Sequence, residues 1–73
     1  MPRENIRSEV TGTVWKVLAN TGDVLEADGV LMVLESMKME IPVVAAEGGR
    51  VVEIFVAEGE PVTEGQAVAV IES

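Results

Sequence analysis

The side chain with the clearest chemical potential in this sequence is the amine of Lys38, which lies between Met37 and Met39 in the segment Glu-Ser-Met-Lys-Met-Glu, residues 35–40. The chain contains no histidine and no cysteine, so it lacks the commonest general base, the thiol nucleophile and most metal ligands. No glycine-rich phosphate loop with an adjacent lysine is present. These residue types favour a non-catalytic protein over an enzyme, and they predict no catalytic residue and no metal site.

Length and composition indicate what kind of domain positions this lysine. The 73 residues allow one domain with a thin core. Because no disulfide can form, stability must come from the apolar residues, which make up 48% of the chain and among which valine is the most frequent. Branched residues of this kind favour pleated, half-buried surfaces. We therefore expect a single compact β-domain over residues 1–73.

The net charge narrows the possible partners. Thirteen carboxylates against five basic groups give a charge of −8. This balance argues against nucleic acid, because phosphate binding needs a basic face, and against an anionic membrane surface. The first ten residues lack the apolar region of a secretory signal, and no apolar run approaches the roughly 20 residues of a membrane span. We expect a cytoplasmic protein.

The chain repeats itself at an offset of 37 residues. Residues 12–36 align without a gap on residues 49–73, with glycines, turn acids and apolar positions in register. Matching pairs include Gly12 with Gly49, Val14 with Val51, Gly22 with Gly59, Asp23 with Glu60, Leu25 with Val62, Val33 with Val70, and Leu34 with Ile71. Two copies are too few for a solenoid. We predict a closed domain with pseudo-two-fold symmetry.

Each half has the same predicted order of elements. A strand, a glycine-acid turn, a short apolar stretch and a second turn precede another strand, and the predicted strands are 13–19, 30–35, 50–57 and 67–72. In the second turn Asp28 matches Gly65, so if that position requires a positive φ, either Asp28 or Gly29 must adopt it. Residues 39–45 form a further strand, in which Pro42 must occupy an edge, a strand start or a bulge. Residues 1–8 are predicted to be a loose N-terminal tail.

Lys38 belongs to the shortest connection in this scheme. Only Ser36, Met37 and Lys38 separate strands 30–35 and 39–45, and a link that short makes a hairpin with Lys38 at its tip. Methionines are unusual in turns, but they are frequent on surfaces that adapt to several partners. We therefore predict an attachment point that is recognised by more than one enzyme. Lys16, by contrast, is predicted to lie on a strand and face solvent.

The triplet Met37-Lys38-Met39, preceded by Glu35 and followed by an apolar strand, resembles the biotin attachment site of biotin carboxyl carrier domains. The duplicated pattern of glycine, acid and valine resembles the same biotinyl/lipoyl attachment domain family from Glu9 to the end, and its stand-alone single-domain members in particular. The resemblance implies an all-β fold, a flattened antiparallel β-barrel or sandwich of two four-stranded sheets with internal pseudo-two-fold symmetry. Ser36 stands where alanine is the commoner residue of the family.

The resemblance also implies a function. A biotin protein ligase would attach biotin covalently to Lys38, and the biotin would shuttle a carboxyl group between biotin carboxylase and carboxyltransferase subunits. Met37 and Met39 would contact the biotin or the partner active sites, or simply pack at the tip. Two alternatives stay open: a lipoyl carrier of a 2-oxo-acid dehydrogenase-type system, and an unmodified β-domain used only for complex assembly. Lipoyl domains usually have aspartate before the lysine and alanine or serine after it, so the two methionines favour biotin.

Overall fold

The computed structural model of the protein describes residues 2–73, which form eight β-strands in two four-stranded antiparallel sheets. The strands are β1 (Arg3–Arg7), β2 (Gly12–Val17), β3 (Val24–Leu25), β4 (Gly29–Ser36), β5 (Met39–Ala45), β6 (Gly49–Ile54), β7 (Pro61–Val62) and β8 (Ala67–Glu72). The strand order is β1-β8-β6-β3 in the first sheet and β5-β4-β2-β7 in the second. The predicted fold class is confirmed. Residues 2–73 contain no helix of the length and apolarity needed to cross a membrane.

The two sheets place the two copies of the repeat in equivalent positions. An offset of 37 residues carries β2 onto β6, β3 onto β7 and β4 onto β8, and the order of strands in one sheet matches that in the other. The predicted residue pairs occupy comparable environments: Val14 and Val51 are both buried, Val33 and Val70 are both half-buried, and Leu25 and Val62 are half-buried and buried. The predicted pseudo-two-fold symmetry is confirmed.

The core lies between the inner faces of the two sheets and consists of small and medium aliphatic side chains. The buried apolar residues are Val14, Ala19, Leu31, Met32, Leu34, Val43, Ala45, Val51, Val56, Val62, Val68, Ala69 and Ile71. Leu31 and Met32 are consecutive yet both fully buried, because the register of β4 against β5 shifts between Val30 and Met32. A bulge of this kind interrupts the normal alternation of a strand.

The prediction of a loose tail over residues 1–8 is wrong for residues 3–7, which form β1; Met1 lies outside the described residues. β1 pairs with β8 along its length, and the backbone N–H of Ser73 donates to the carbonyl of Pro2 at 3.1 Å. As an edge strand, β1 shows little apolar alternation, because only Ile6 packs against the core. At the offset of 37 residues, β1 falls on β5, so the repeat extends further than the aligned glycines indicate.

Two expectations about single residues are confirmed, and the turn acids have a definite role. Pro42 lies in β5, an edge strand, where a missing N–H leaves no ladder bond unmade. Asp28 adopts the positive φ, 63°, and its repeat counterpart Gly65 has a φ of 88°. Asp23 and Glu60 each accept a hydrogen bond from the backbone N–H three residues earlier, at 2.8 and 3.1 Å. The turns therefore follow the local chemistry of their residues.

A charged cluster joins three strands of the first sheet. Glu72 accepts hydrogen bonds from Arg50 Nη2 at 2.7 Å and from Arg3 Nε at 3.1 Å. Because Arg50 and then Arg3 stabilise the carboxylate, the pKa of Glu72 is lower than that of an ordinary glutamate. The cluster ties β1, β8 and β6 together beside Pro2 and Ser73.

We expect acid to remove the stabilisation that this cluster provides. Because the pKa of Glu72 is lower in the folded chain than in the unfolded chain, the contribution is present above the unfolded value and is lost as pH falls through the folded value. Urea unfolding of the wild type and of Glu72→Gln, measured from about pH 7 down to about pH 3, should show the variant less stable near neutrality and the gap closing in acid. A gap that stays constant across this range would contradict the assignment.

Candidate attachment site

The site is the hairpin of β4 and β5, which presents Lys38 in its turn. The two strands pair from Gly29 opposite Ala45 to Ser36 opposite Met39. Only Met37 and Lys38 lie between them, so the connection has two residues, one fewer than predicted, because Ser36 belongs to β4. Met37 and Lys38 have φ values of 51° and 65°. Two positive φ angles in a two-residue loop define a type I′ turn, whose twist matches that of the flanking strands.

The turn projects all three predicted site residues into solvent. Met37 is 90% exposed, Met39 is 60% exposed, and Lys38 is also exposed. A positive φ is unfavourable for residues with a Cβ, so the paired strands must hold Met37 and Lys38 in this conformation. The backbone that carries the amine is therefore held on both sides, while the lysine side chain is free to move.

Substitutions of Met37 test whether the turn depends on this backbone conformation. We expect Met37→Gly to leave the stability unchanged or to raise it slightly, because glycine adopts a positive φ without steric cost. Met37→Val should destabilise the domain by about 1–2 kcal/mol, because a β-branched side chain tolerates this conformation poorly. Thermal unfolding of the two variants measures the difference. Equal stabilities of the glycine and valine variants would contradict the turn assignment.

The turn end of the hairpin is braced by the loop that joins β1 and β2. The hydroxyl of Ser36 donates a hydrogen bond to the carbonyl of Thr11 at 2.9 Å. A Cβ on Gly12 would meet the carbonyl oxygen of Glu35, so only glycine allows the two backbones to approach this closely. The sequence did not reveal the role of Ser36; the only signal was a hydroxyl group where the family usually has alanine, which cannot make this bond.

Two carboxylates flank the turn without a cation opposite them. Glu35 lies directly across from Glu40, and both side chains are exposed. Within residues 2–73 neither glutamate forms a salt bridge, whereas their repeat counterparts Glu72 and Arg3 form one with each other. Like charges directly opposite each other in a sheet are unfavourable. The hairpin therefore has an acidic margin, Glu35 and Glu40, that no ion pair within the described residues compensates.

The amine of Lys38 lies outside the grooves of the domain. A groove of about 380 Å³ between β1 and β5 includes none of the three tip residues in its lining. Lys16 has a different setting, because it lies within β2 and its Nζ is 5.8 Å from the centre of the Trp15 ring. Lys16 and its counterpart Glu53 are both exposed, as predicted. Of the two lysines, only Lys38 stands on a projecting turn.

Known proteins are similar in sequence to this chain over nearly its whole length. A family model described as "Biotin-requiring enzyme" matches residues 4–71. The biotinylated protein TB7.3 homolog of Mycobacterium leprae is 41% identical over 68 residues, which cover 93% of this chain and 96% of that protein. Urea amidolyase of Saccharomyces cerevisiae is 40% identical over 70 residues, which cover 96% of this chain and 4% of that enzyme.

Solved structures agree with these relatives. The crystal structure of Kluyveromyces lactis urea carboxylase matches with a TM-score of 0.92 and 39% identity, covering 99% of this chain and 6% of that one. The chain thus corresponds to nearly the full length of the mycobacterial relative and to a small part of the yeast enzymes. On this evidence the chain belongs to the family of biotin/lipoyl attachment domains of biotin-requiring enzymes.

Proposed function

We propose that this biotin carrier domain holds its cofactor on the amine of Lys38. The observation that carries the proposal is the two-residue turn, which projects Lys38 from the end of a rigid hairpin. The other lysine, Lys16, lies within a strand beside an indole ring. An enzyme that brings an activated carboxyl group to an amine therefore reaches Lys38 at the end of the hairpin, whereas Lys16 lies within the sheet.

The attachment reaction assigns a passive part to this chain. A biotin protein ligase transfers the AMP group of ATP to the carboxylate of biotin, with release of pyrophosphate, and the free amine of Lys38 attacks the acyl carbon of that adenylate. An amide C–N bond forms, the bond from the acyl carbon to the AMP oxygen breaks, and AMP leaves. The amide that forms has one N–H, whereas the ammonium form of a lysine side chain has three, so a base must take up the released protons. The turn holds no buried base, and we assign that task to the ligase.

The carrier step follows from the geometry of the tip. Biotin supplies a ring nitrogen that takes up and releases a carboxyl group, and we propose biotin carboxylase and carboxyltransferase subunits as the partners. The lysine stem and the biotin side chain together form a tether of about 10–15 Å. The tether keeps the reactive ring at high local concentration for both partners. Met37 and Met39 would form adaptable apolar contacts with the cofactor or with the partner sites.

Mass spectrometry of the modified chain tests the proposal. The wild-type protein is incubated with biotin, ATP and a biotin protein ligase, and separately with lipoate, ATP and a lipoate ligase. We expect one biotinyl group per chain, on the peptide that contains Lys38, and no comparable lipoylation. Lipoylation in preference to biotinylation would assign the chain to a 2-oxo-acid dehydrogenase-type system. Absence of both modifications would leave assembly as its role.

A further inference from the structure

The pseudo-symmetry allows the outer faces of the two sheets to be compared position by position. The row nearest the Lys38 turn contains Glu35 and Glu40, and the equivalent row of the other sheet contains Glu72 and Arg3 together with Arg50. The second of these rows is neutralised by its own ion pairs. Among the described residues, the row that contains Glu35 and Glu40 has no such ion pair. Because the two sheets have the same strand arrangement, the fold does not require two glutamates without ion pairs beside Lys38.

The next row differs in polarity. Val33 is half-buried and lies between Pro42 on β5 and Lys16 on β2. Its counterpart Val70 is also half-buried, but its neighbours in the sheet are Asn5 and Glu53. The proline replaces an asparagine at an exposed position of an edge strand. The sheet that carries the turn is thus the more apolar of the two on its outer side.

Trp15 adds the largest apolar group to this side. Val14 is opposite Leu34 and Lys16 is opposite Val33, so Trp15 is the extra residue of a β-bulge, and its side chain is 45% exposed. The second half contains the same bulge with Val52 at that position. A valine therefore suffices for the bulge. Tryptophan is one of the residue types that are enriched among the contacts that dominate the binding energy of protein interfaces. A half-exposed tryptophan on the outer side of a sheet therefore favours an interface.

We propose that the hairpin face, defined as the outer side of β5-β4-β2-β7 around Trp15, Val33 and Pro42 with the margin of Glu35 and Glu40, docks the ligase that modifies Lys38. The inference rests on the proposed function of Lys38. The partner surface that fits this face has an apolar recess for Trp15 and Val33. It also has basic side chains opposite the two glutamates, because neither glutamate forms a salt bridge within residues 2–73.

The reach of an unmodified lysine assigns this contact to the attachment step. A lysine amine extends only about 6 Å from its Cα, so the ligase must come within that distance of a two-residue turn. Val33 lies three residues before the end of β4, about 10 Å along the strand, so a protein surface at the turn also covers the hairpin face. Once biotin is attached, the reacting ring is about 10–15 Å from the backbone, and a carboxylase needs far less contact with the strands.

A matched pair of substitutions tests the docking surface. Val33→Arg and Val70→Arg place the same side chain at half-buried, symmetry-equivalent positions of the two sheets. We expect Val33→Arg to raise the KM of the carrier in the ligase reaction about tenfold or more, and Val70→Arg to change it less than about twofold. Trp15→Val gives the first bulge the residue type of the second, and it should also raise KM. Circular dichroism and thermal unfolding show whether each variant is folded.

Loaded carrier separates this inference from the proposed function. Each variant is biotinylated to completion with excess ligase and then used as the substrate of a biotin carboxylase, where we expect rates within about twofold of wild type. Equal KM values for Val33→Arg and Val70→Arg, with Trp15→Val also unchanged, would overturn the docking surface and leave Lys38 as the attachment site. A defect confined to carboxylation of the loaded variants would overturn it too. Failure of the wild type to accept biotin would instead overturn the proposed function.

Discussion

We expect Lys38→Arg to abolish biotin incorporation and Lys16→Arg to accept one biotin group at the wild-type rate. Arginine keeps the positive charge of the turn, but its guanidinium does not give up a proton near neutral pH and cannot attack the adenylate. The fold is unchanged in both variants, because both side chains are exposed and neither contributes to the core. Intact mass after incubation with ligase, biotin and ATP measures the result, with circular dichroism as the control for folding.

The two lysine variants check each other. Lys16 lies on the strand that adjoins the hairpin, so its replacement controls for any general effect of losing a lysine amine. Incorporation of biotin into folded Lys38→Arg would show a second acceptor in the chain. Loss of incorporation in folded Lys16→Arg would show that Lys38 is not sufficient. Either outcome would contradict the assignment of the attachment site.

Leu34→Ala and Ile71→Ala should each destabilise the domain by about 2–5 kcal/mol, because each deletes a buried side chain and leaves a cavity. The two residues are repeat counterparts, and their side chains are 0% and 3% exposed. A loss of this size is a large fraction of the free energy of unfolding, which for a domain of this length is expected to be roughly 4–11 kcal/mol. The melting temperature should fall by at least about 8 °C.

Urea and thermal unfolding of the pair measure how closely the two halves share the core. Val24→Ala serves as the control, because its side chain is 78% exposed and should change stability by less than about 0.5 kcal/mol. We expect the decrease in the free energy of unfolding to lie within about 2–5 kcal/mol for both Leu34→Ala and Ile71→Ala. A cost at one position that is as small as that of the control would contradict a core built equally from both halves.

The sequence predicts the hairpin well because short-range signals agree there. The mostly apolar segment 30–35, a very short link and a second strand containing Pro42 leave the chain one compact arrangement. The residue types of the turn do not predict a type I′ conformation, because neither Met37 nor Lys38 favours a positive φ. The conformation is imposed by the paired strands on each side, which is a tertiary constraint and leaves no local signal.

β1 and Trp15 show where prediction from composition fails. The segment Arg-Glu-Asn-Ile-Arg has too few apolar residues to indicate a strand, because an edge strand buries little more than Ile6. The repeat does contain a signal for β1, because residues 3–7 align with the predicted strand 39–45 when the offset of 37 residues is extended toward the N-terminus. Trp15 sits in a predicted strand where alternation alone would not assign its side, because the bulge changes the direction of the side chain.

The hydrogen bond from the N–H of Ser73 to the carbonyl of Pro2 holds these two residues close together in space. Offset by 37 residues, these two positions coincide with Ser36 and Met39, which are joined by only two residues. A circular permutant can therefore be designed in which a two-residue linker connects Ser73 to Pro2 and the new chain ends lie at the turn of Met37 and Lys38. This permutant would keep the same eight strands. If that linker were Met-Lys, the amine would stand on an equivalent turn beside Arg3 and Glu72. Such a permutant separates what the turn contributes to a carrier from what the surrounding side chains contribute.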